Sequence, residues 1–383
     1  MIKKIKARLS VLIGNRGRYD TLFLLAVALL AAYGTVMVCS AGYAYAAFRY
    51  GDGLYFVKRQ SVWLIIGIAA MLSVSTVDIG IIKKYTSAAY CVTLMLLVLT
   101  LAIGFVGNGA QRWISIGPLT LQPSEIAKLT MTMMLAKYFS DNTDATAARD
   151  KRTVLIKGTL IPCVIMAIPI LLVMLQHHLS CIIILGVIGL MTIVMSGADL
   201  RYIGAFCLAG LCGVSYIAFF TDYTKDRITV WLDPESYKLT GGWQTLQGLM
   251  AIGSGGIFGK GLGMGELKYC YVSEPANDMI FAVLCEELGF VGAVAALALF
   301  ALLIWRGFII SFESEDTYSR LLGIGICVKV AVQTLLNVAV VTNTIPNTGI
   351  SLPFFSYGGS SLIMIFAEMG IILSISRRSK IRK

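Results

Sequence analysis

The sequence predicts an all-α, polytopic membrane protein of about ten transmembrane helices with both ends in the cytoplasm. Three observations predict it. Of the 383 residues, 57% are hydrophobic and only 14% are charged, where an ordinary soluble domain carries roughly 25% charged residues. Apolar stretches near spanning length recur from one end of the chain to the other. Lys and Arg are distributed unequally between alternate connections.

The expected spans lie near residues 19–40, 61–77, 87–106, 124–139, 158–175, 181–196, 203–220, 278–305, 321–342 and 360–376. The first has a basic start and an "AYA" at Ala44–Ala46, like a secretory signal. Its apolar run exceeds the ~7–15 residues of such a signal, so an uncleaved helix is expected. Twenty of the 32 basic residues fall on one side, including Lys3, Lys4, Lys83, Lys84, Arg306 and the tail from Arg377. Nine fall on the other side, and Lys128, Lys137 and Lys329 fall inside spans. The net charge of +11 is therefore a topology signal, which argues against nucleic-acid binding.

The chain reads as one integral membrane domain, 1–383, with a basic N-terminus (1–18), a long outer connection (221–277) and a basic tail (377–383). No internal repeat supports a transporter built from two matching halves. Nine cysteines include no C-x-x-C pair, and eight lie in or beside apolar runs, as buried small hydrophobes do. Two histidines, His177 and His178, are too few for a histidine-based metal site.

Four outer connections carry the chemistry. "GNGAQRWISIGPLTLQPSEIAK" holds Arg112, Trp113, Gln122, Ser124, Glu125 and Lys128. Trp113 suits the headgroup zone, and Pro123 suits a helix start. Glu125 and Lys128 are three apart and share a helix face. They read either as a local ion pair, or with Lys128 and Arg112 facing anionic phosphate in a cavity that opens outward. Gln176–Ser180 holds the two histidines. The third connection, 57 residues long, contains Arg227, Gln247, Lys260 and seven glycines between Gly253 and Gly265. It is not a Walker loop, because Ser254 and Gly261 stand where Gly and Ser or Thr are required. It reads as a packed re-entrant or surface segment, or as a ligand lining. The fourth, "VTNTIPNTGISLPFFSYGGSSL", holds Ser356 and Ser360 and has too many Pro and Gly for a continuous helix. Such backbone is tolerated at a membrane only against protein or a water-filled cavity.

"SEPANDMIFAVLCEELGF" places Asp278 at the outer end of the eighth span, as a helix N-cap or a chemical group. Glu286 lies about 12 Å further along a helix and is rotated by about 80°, with Glu287 about opposite Asp278. Buried acids in membranes need partners, so Glu286 or Glu287 is expected to pair with a cation such as Lys128 or to hydrogen-bond a neighbouring helix. Glu368 also needs a partner.

These segments, with "DRITVWLDP" and "GGWQTLQGLMAIGSGGIFGKGLG", resemble the SEDS family (shape, elongation, division and sporulation proteins, including FtsW, RodA and SpoVE) over nearly the whole chain. "NTGISLPFFSYGGSS" and "SEPANDMIFA" are closest to the division and sporulation branch. The resemblance implies a peptidoglycan glycosyltransferase that polymerises lipid II at the outer face of the cytoplasmic membrane, with inversion at the anomeric carbon. It implies Asp278 as the required acid, and a class B penicillin-binding protein as partner. A positioned carboxylate can take the proton of the attacking sugar hydroxyl. Arg112, Arg227, Lys128 or a divalent cation, Mg²⁺ or Mn²⁺, would stabilise the leaving pyrophosphate. The expected substrate-facing set is Arg112, Trp113, Gln122, Ser124, Glu125, Lys128, Arg227, Gln247, Lys260, Ser356 and Ser360; Glu286, Glu287 and Glu368 are expected to be structural or ion-paired. The chain departs from the family at Gln176–Ser180, where members often read Q-P-D-L-G: His177 and His178 replace the Pro and Asp, and His178 could substitute by hydrogen bonding. Ser273, Asn277 and Met279 also differ from common residues. A lipid II flippase, a non-catalytic division scaffold and an elongation-type polymerase are the alternatives.

Overall fold

A computed structural model of the chain describes residues 17–107, 110–116, 119–143, 150–205, 210, 222–269 and 274–378. Its elements are helices α1 (Thr21–Tyr50), α2 (Tyr55–Thr76), α3 (Ile79–Ile103), a small sheet of β1 (Phe105–Gly107), β2 (Ala110–Ile116) and β3 (Leu119–Leu121), then α4 (Pro123–Asp141). There follow α5 (Lys151–Leu175), α6 (Leu179–Met195), α7 (Asp222–Leu232), α8 (Trp243–Gly255), α9 (Ile280–Phe312), α10 (Thr317–Val341) and α11 (Gly359–Ser376). Among the described residues, seven helices are long and apolar enough to cross a membrane: α1, α2, α3, α5, α9, α10 and α11. Helix α6 is apolar and shorter. Helix α4 is less apolar and is buried instead inside the bundle, against α3, α6 and α10. The span expected at 203–220 lies mostly outside the described residues.

Local chemistry sets several boundaries. Asp20, Asp78 and Asp316 cap α1, α3 and α10 through their carboxylates, which accept backbone N–H bonds from Phe23, Gly80 and Ser319. Helix α1 runs ten residues past the expected end and carries Ala44–Ala46 within it. It stops at Gly51, whose φ of 70° gives the left-handed cap. Arg306 pairs with Asp20 at 2.7 Å, Arg378 pairs with Asp78, and Arg377 Nε donates to the Gly17 carbonyl at 3.4 Å. Both described ends thus meet at one end of the bundle, as the basic-residue asymmetry predicts.

The 57-residue outer connection is not an open loop. It contains α7 and α8, and residues 256–261 fold back along α9. Helix α9 breaks at Gly289 (φ 66°, ψ −164°). The break strands carbonyls and N–H groups that a buried segment must satisfy. The glycine-rich run does so. Lys260 and Gly261 N–H donate to the Glu286 and Glu287 carbonyls at 3.0 and 2.9 Å. Phe290 and Val291 N–H donate to the Gly256 and Ile257 carbonyls at 2.9 and 3.1 Å. A Cβ at Gly255 or Gly259 would overlap the Cys285 or Glu287 carbonyl, which accounts for glycine at both. Ile257, Phe258, Leu262 and Met264 are exposed, so the run presents an apolar outer surface.

Gly289→Ala should therefore destabilise the protein by about 1–3 kcal/mol or more, since its φ is left-handed and a Cβ would meet Gly259 and Ile257 backbone. A thermal melt in detergent checks it, and an unchanged midpoint would contradict the pairing.

Candidate active site

The end of the bundle opposite the paired termini gathers the four informative connections. Asp278 lies in the turn that precedes α9, not on its first turn, and it is not the cap: Met279 occupies that position with no side-chain bond. The reading of Asp278 as an N-cap is corrected accordingly. Asp278 is half-buried, and among the described residues no hydrogen bond reaches its carboxylate. Gly349, at φ 66°, brings its backbone against it, so that a Cβ there would sit 3.2 Å from Oδ2. Burial, reinforced by the negative charge of Glu274 and opposed by Arg112, pushes the Asp278 carboxyl up to about 6.

The backbone that carries Asp278 is tied down at three consecutive residues. Asn337 Nδ2, fully buried on α10, donates to the Asp278 carbonyl at 2.9 Å and to the Ile350 carbonyl at 2.6 Å. Ser356 Oγ donates to the Asn277 carbonyl at 2.8 Å and accepts from Leu352 N–H at 2.7 Å. Tyr357 N–H donates to the Ala276 carbonyl at 2.8 Å. Ser356, expected to face substrate, thus holds the chain that bears the acid. The strap at 343–359 is anchored in turn by Arg227 to the Asn347 carbonyl (2.5 Å), by Trp231 to the Asn343 carbonyl (2.9 Å), by Gln333 to Ser351 (3.0 Å) and by Ser180 to the Thr348 carbonyl. Arg227, on α7, is therefore held against the strap at Asn347.

Arg112 comes from the sheet, where β2 pairs antiparallel with β1 and β3 in the registers Trp113↔Phe105 and Ser115↔Thr120. Its guanidinium donates to the His177 carbonyl at 2.6 Å. The hairpin was readable in principle: Asn108-Gly109 between apolar alternations is a strong turn signal. Trp113 and Gln122 are half-buried, Gln122 at the entry to α4 with no side-chain cap bond, and Gln247 is buried on α8. Gly248 beside it leaves room for the Met279 side chain. Ser360 is half-buried in the first turn of α11.

Behind the site lies a buried quartet of charges. Lys128 pairs with Glu125 at 2.6 Å and Lys329 with Glu368 at 2.6 Å; Lys329 also stands 3.9 Å from Glu125. Lys128 Nζ reaches Gln333 Oε1 at 3.4 Å, and Gln333 bonds the strap at Ser351. Two cations and two carboxylates balance, which is what makes such charges tolerable away from water. Glu286 and Glu287 do not pair with Lys128, correcting that expectation. Lys260, expected to face substrate, meets Glu286 at 3.0 Å, and Lys268 meets Glu287 at 2.6 Å. The re-entrant run supplies both lysines, and local spacing cannot announce such a contact. Asn337, Gln333 and Gly349 were missed for the same reason: each acts on a segment distant in sequence.

The fold and site define a polytopic helical membrane protein with a half-buried acid held at a helix entrance, Arg112 of the hairpin acting on it and Arg227 of an outer helix bonded to the strap. The chain belongs to the cell cycle protein family of FtsW, RodA and SpoVE, whose profile matches residues 20–381. It is 36% identical over 364 residues to stage V sporulation protein E of Bacillus subtilis (strain 168), covering 94% of this chain and 98% of the relative. It is 35% identical over 364 residues, with the same coverage, to a probable peptidoglycan glycosyltransferase FtsW of Geobacter sp. (strain M18). A chain in the structure described as "Structural coordination of polymerization and crosslinking by a peptidoglycan synthase complex" superposes with a TM-score of 0.78 at 28% identity, covering 94% of this chain and 98% of that one. The rod shape determining protein RodA of Thermus thermophilus superposes with a TM-score of 0.69 at 26% identity and the same coverage.

Proposed function

We propose that this chain is a peptidoglycan glycosyltransferase that polymerises lipid II at the outer face of the bacterial cytoplasmic membrane, in cell division or sporulation. The observation that carries the reading is Asp278: a half-buried carboxylate with no hydrogen bond among the described residues, on backbone fixed at three carbonyls, with Arg112 nearby. Asp278 takes the proton of the acceptor sugar's 4-hydroxyl as that oxygen attacks the donor's anomeric carbon. The carbon–oxygen bond to the diphosphate breaks, and the diphosphate leaves with the electron pair. One displacement inverts the centre. In this reading Arg112, and Arg227 of α7, offset the leaving charge. Lys128 and Lys260 are committed to carboxylates, which makes them weaker candidates.

A divalent cation fits the same place. Mg²⁺ binds through one or two carboxylates together with phosphate oxygens and water, and Asp278 with the substrate diphosphate would hold it. When bound, it would supply charge neutralisation. Among the described residues no group of three or more His, Cys, Asp or Glu gathers to hold one. The partner in this reading is a class B penicillin-binding protein that supplies crosslinking, and the septum is the place of action. The superposition on a chain of a peptidoglycan synthase complex supports the partner.

The test is polymer formation from labelled lipid II by purified protein with its partner. Polymer lost on Asp278→Ala supports the reading. Lipid translocation across vesicles without polymer would replace it with a flippase, and neither activity would leave a scaffold.

The pH dependence follows from the raised carboxyl. A base works ionised, so kcat/KM should fall as pH drops through about 6 and level off above about 7, where roughly nine-tenths of Asp278 is ionised. A profile flat from pH 5 to 8 would remove Asp278 as the base.

A further inference from the structure

Helix α1 outgrows its neighbour. Just before α1, the Tyr19 hydroxyl is hydrogen-bonded to Ser75 Oγ, near the end of α2, at 3.2 Å. At the other end of the pair, Gly42 lies against Phe56, where a Cβ would come within 2.9 Å of the ring. The two helices therefore run side by side only as far as Gly42. Residues 43–50 of α1 stand past the start of α2, by about 12 Å at ~1.5 Å per residue. Helix α2, of 22 residues, is long enough for a hydrocarbon core of roughly 30 Å and little more. The tip of α1 thus emerges through the headgroup layer, which is roughly 5–8 Å deep on each side. The turn after Gly51 brings the chain back down to α2, with Gly53 against the Tyr43 ring.

The tip exposes aromatic rings. Phe48 is 81% exposed and Tyr50 is 47% exposed. Tyr50 stacks on Tyr55, with centroids 4.0 Å apart and 10° between the planes, and the Arg59 guanidinium lies 4.6 Å from the Tyr55 centroid. Arg59 also bonds the Tyr357 hydroxyl, and Phe56 meets the Tyr357 ring edge-on at 4.7 Å. Tyr357 N–H donates to the Ala276 carbonyl at 2.8 Å, two residues before Asp278. An unbroken run of contacts thus leads from the backbone that bears the acid to the exposed tip. Rings past the acyl chains are not covered by lipid tails. The charged residues between 43 and 63 are Arg49, Lys58 and Arg59 against Asp52, and Asp52 pairs with Lys58 at 2.8 Å. The surface is therefore aromatic and net basic. Sugar rings match it: their C–H faces lie on aromatic faces, and their hydroxyls bond polar side chains at the edge. The stem-peptide carboxylates of a cell-wall glycan complement the arginines.

We propose that the projecting tip of α1 and the α1–α2 turn, with Phe48, Tyr50, Tyr55 and Arg59, form a docking ledge for the glycan strand, reached from Asp278 by way of Tyr357. This rests on the glycosyltransferase reading and gives the polymer a place of its own, apart from the place of bond formation. Sugars already joined stack on the ledge, so the strand stays with the enzyme between additions. A strand held in this way grows longer before it is released.

Equilibrium binding of lipid-free, uncross-linked glycan strands to the full chain in nanodiscs tests the ledge without requiring turnover. Phe48→Ala and Tyr50→Ala each remove one ring, and Tyr50→Trp keeps a stacking face. Each alanine variant should bind strands about three- to tenfold more weakly, the scale of one ring contact. Tyr50→Trp should stay close to the unsubstituted chain, with melting midpoints unchanged throughout. Polymer made from labelled lipid II should shift to shorter strands in both alanine variants. Unchanged strand affinity and unchanged lengths in both overturn the ledge. Alanine variants that keep strand affinity but lose co-purification with a penicillin-binding partner also overturn it, and make the tip a protein-contact surface. Extra quenching of Tyr50→Trp fluorescence by brominated lipid, over that of the unsubstituted chain, would place the ring among acyl chains and overturn it as a membrane anchor. The Asp278→Asn protein should bind strands as the unsubstituted chain does. Strand binding without any polymer from the unsubstituted chain would remove the catalytic reading alone, whereas polymer with strand binding untouched by the ring variants removes the ledge alone.

Discussion

Replacing Asp278 with Asn is expected to cut glycan polymerisation by at least about 10²–10⁴-fold, the usual contribution of a positioned general base. The amide keeps the size and the half-buried position but cannot accept the proton of the attacking hydroxyl at neutral pH. The backbone ties from Asn337, Ser356 and Tyr357 involve the carbonyls of residues 276–278 and not the side chain. Folding should therefore survive, and the thermal midpoint should stay close to that of the unsubstituted protein. Substrate affinity should also persist, so that the loss falls on kcat. Gel-resolved polymer from labelled lipid II measures it. Polymer at more than about a tenth of the normal rate would show that the proton goes elsewhere.

Glu287→Ala should cost about 3–5 kcal/mol of stability, because it leaves a buried ammonium unpaired. Glu287 is 0% exposed and accepts from Lys268 Nζ at 2.6 Å and from Ser40 Oγ at 2.6 and 2.7 Å. Lys268 is 3% exposed, with the Gly263 carbonyl at 2.8 Å as a further partner. These bonds join three segments: the middle of α1, the end of the re-entrant run and the kinked part of α9. The double variant Glu287→Leu with Lys268→Met should recover much of the loss, since removing both charges also removes the desolvation penalty of each. Melting of the two variants in detergent decides it. A double variant no more stable than the single one would mean that the pair holds the re-entrant run by geometry rather than by charge balance.

Much of the site was legible before any coordinates. Asp278 stood out because an acid at the edge of a long apolar run is costly unless water or a cavity reaches it. The three-residue spacing of Glu125 and Lys128 offered their pairing as one of two readings, because neighbours on one helix turn can meet whatever the rest of the fold does. Seven of the spanning helices were visible as apolar runs, since lipid selects composition directly. The partners of Glu286 and Glu287 were not visible. Lys260 and Lys268 lie 26 and 19 residues away in the chain, and hydrophobic periodicity carries no record of which segment folds back against a broken helix. The same holds for Asn337, which reads as one polar residue in an apolar helix until its two carbonyl partners, 59 and 13 residues distant, are in view.

The amino-acid sequence by itself determined a bundle of apolar helices, the placement of both described ends together, and an acid at the rim, because burial cost and charge asymmetry act on each segment separately. Only the tertiary structure decided how that acid is held and which charges cancel one another. Those outcomes depend on hydrogen bonds and ion pairs between segments far apart in the chain, which exist only once the helices have packed.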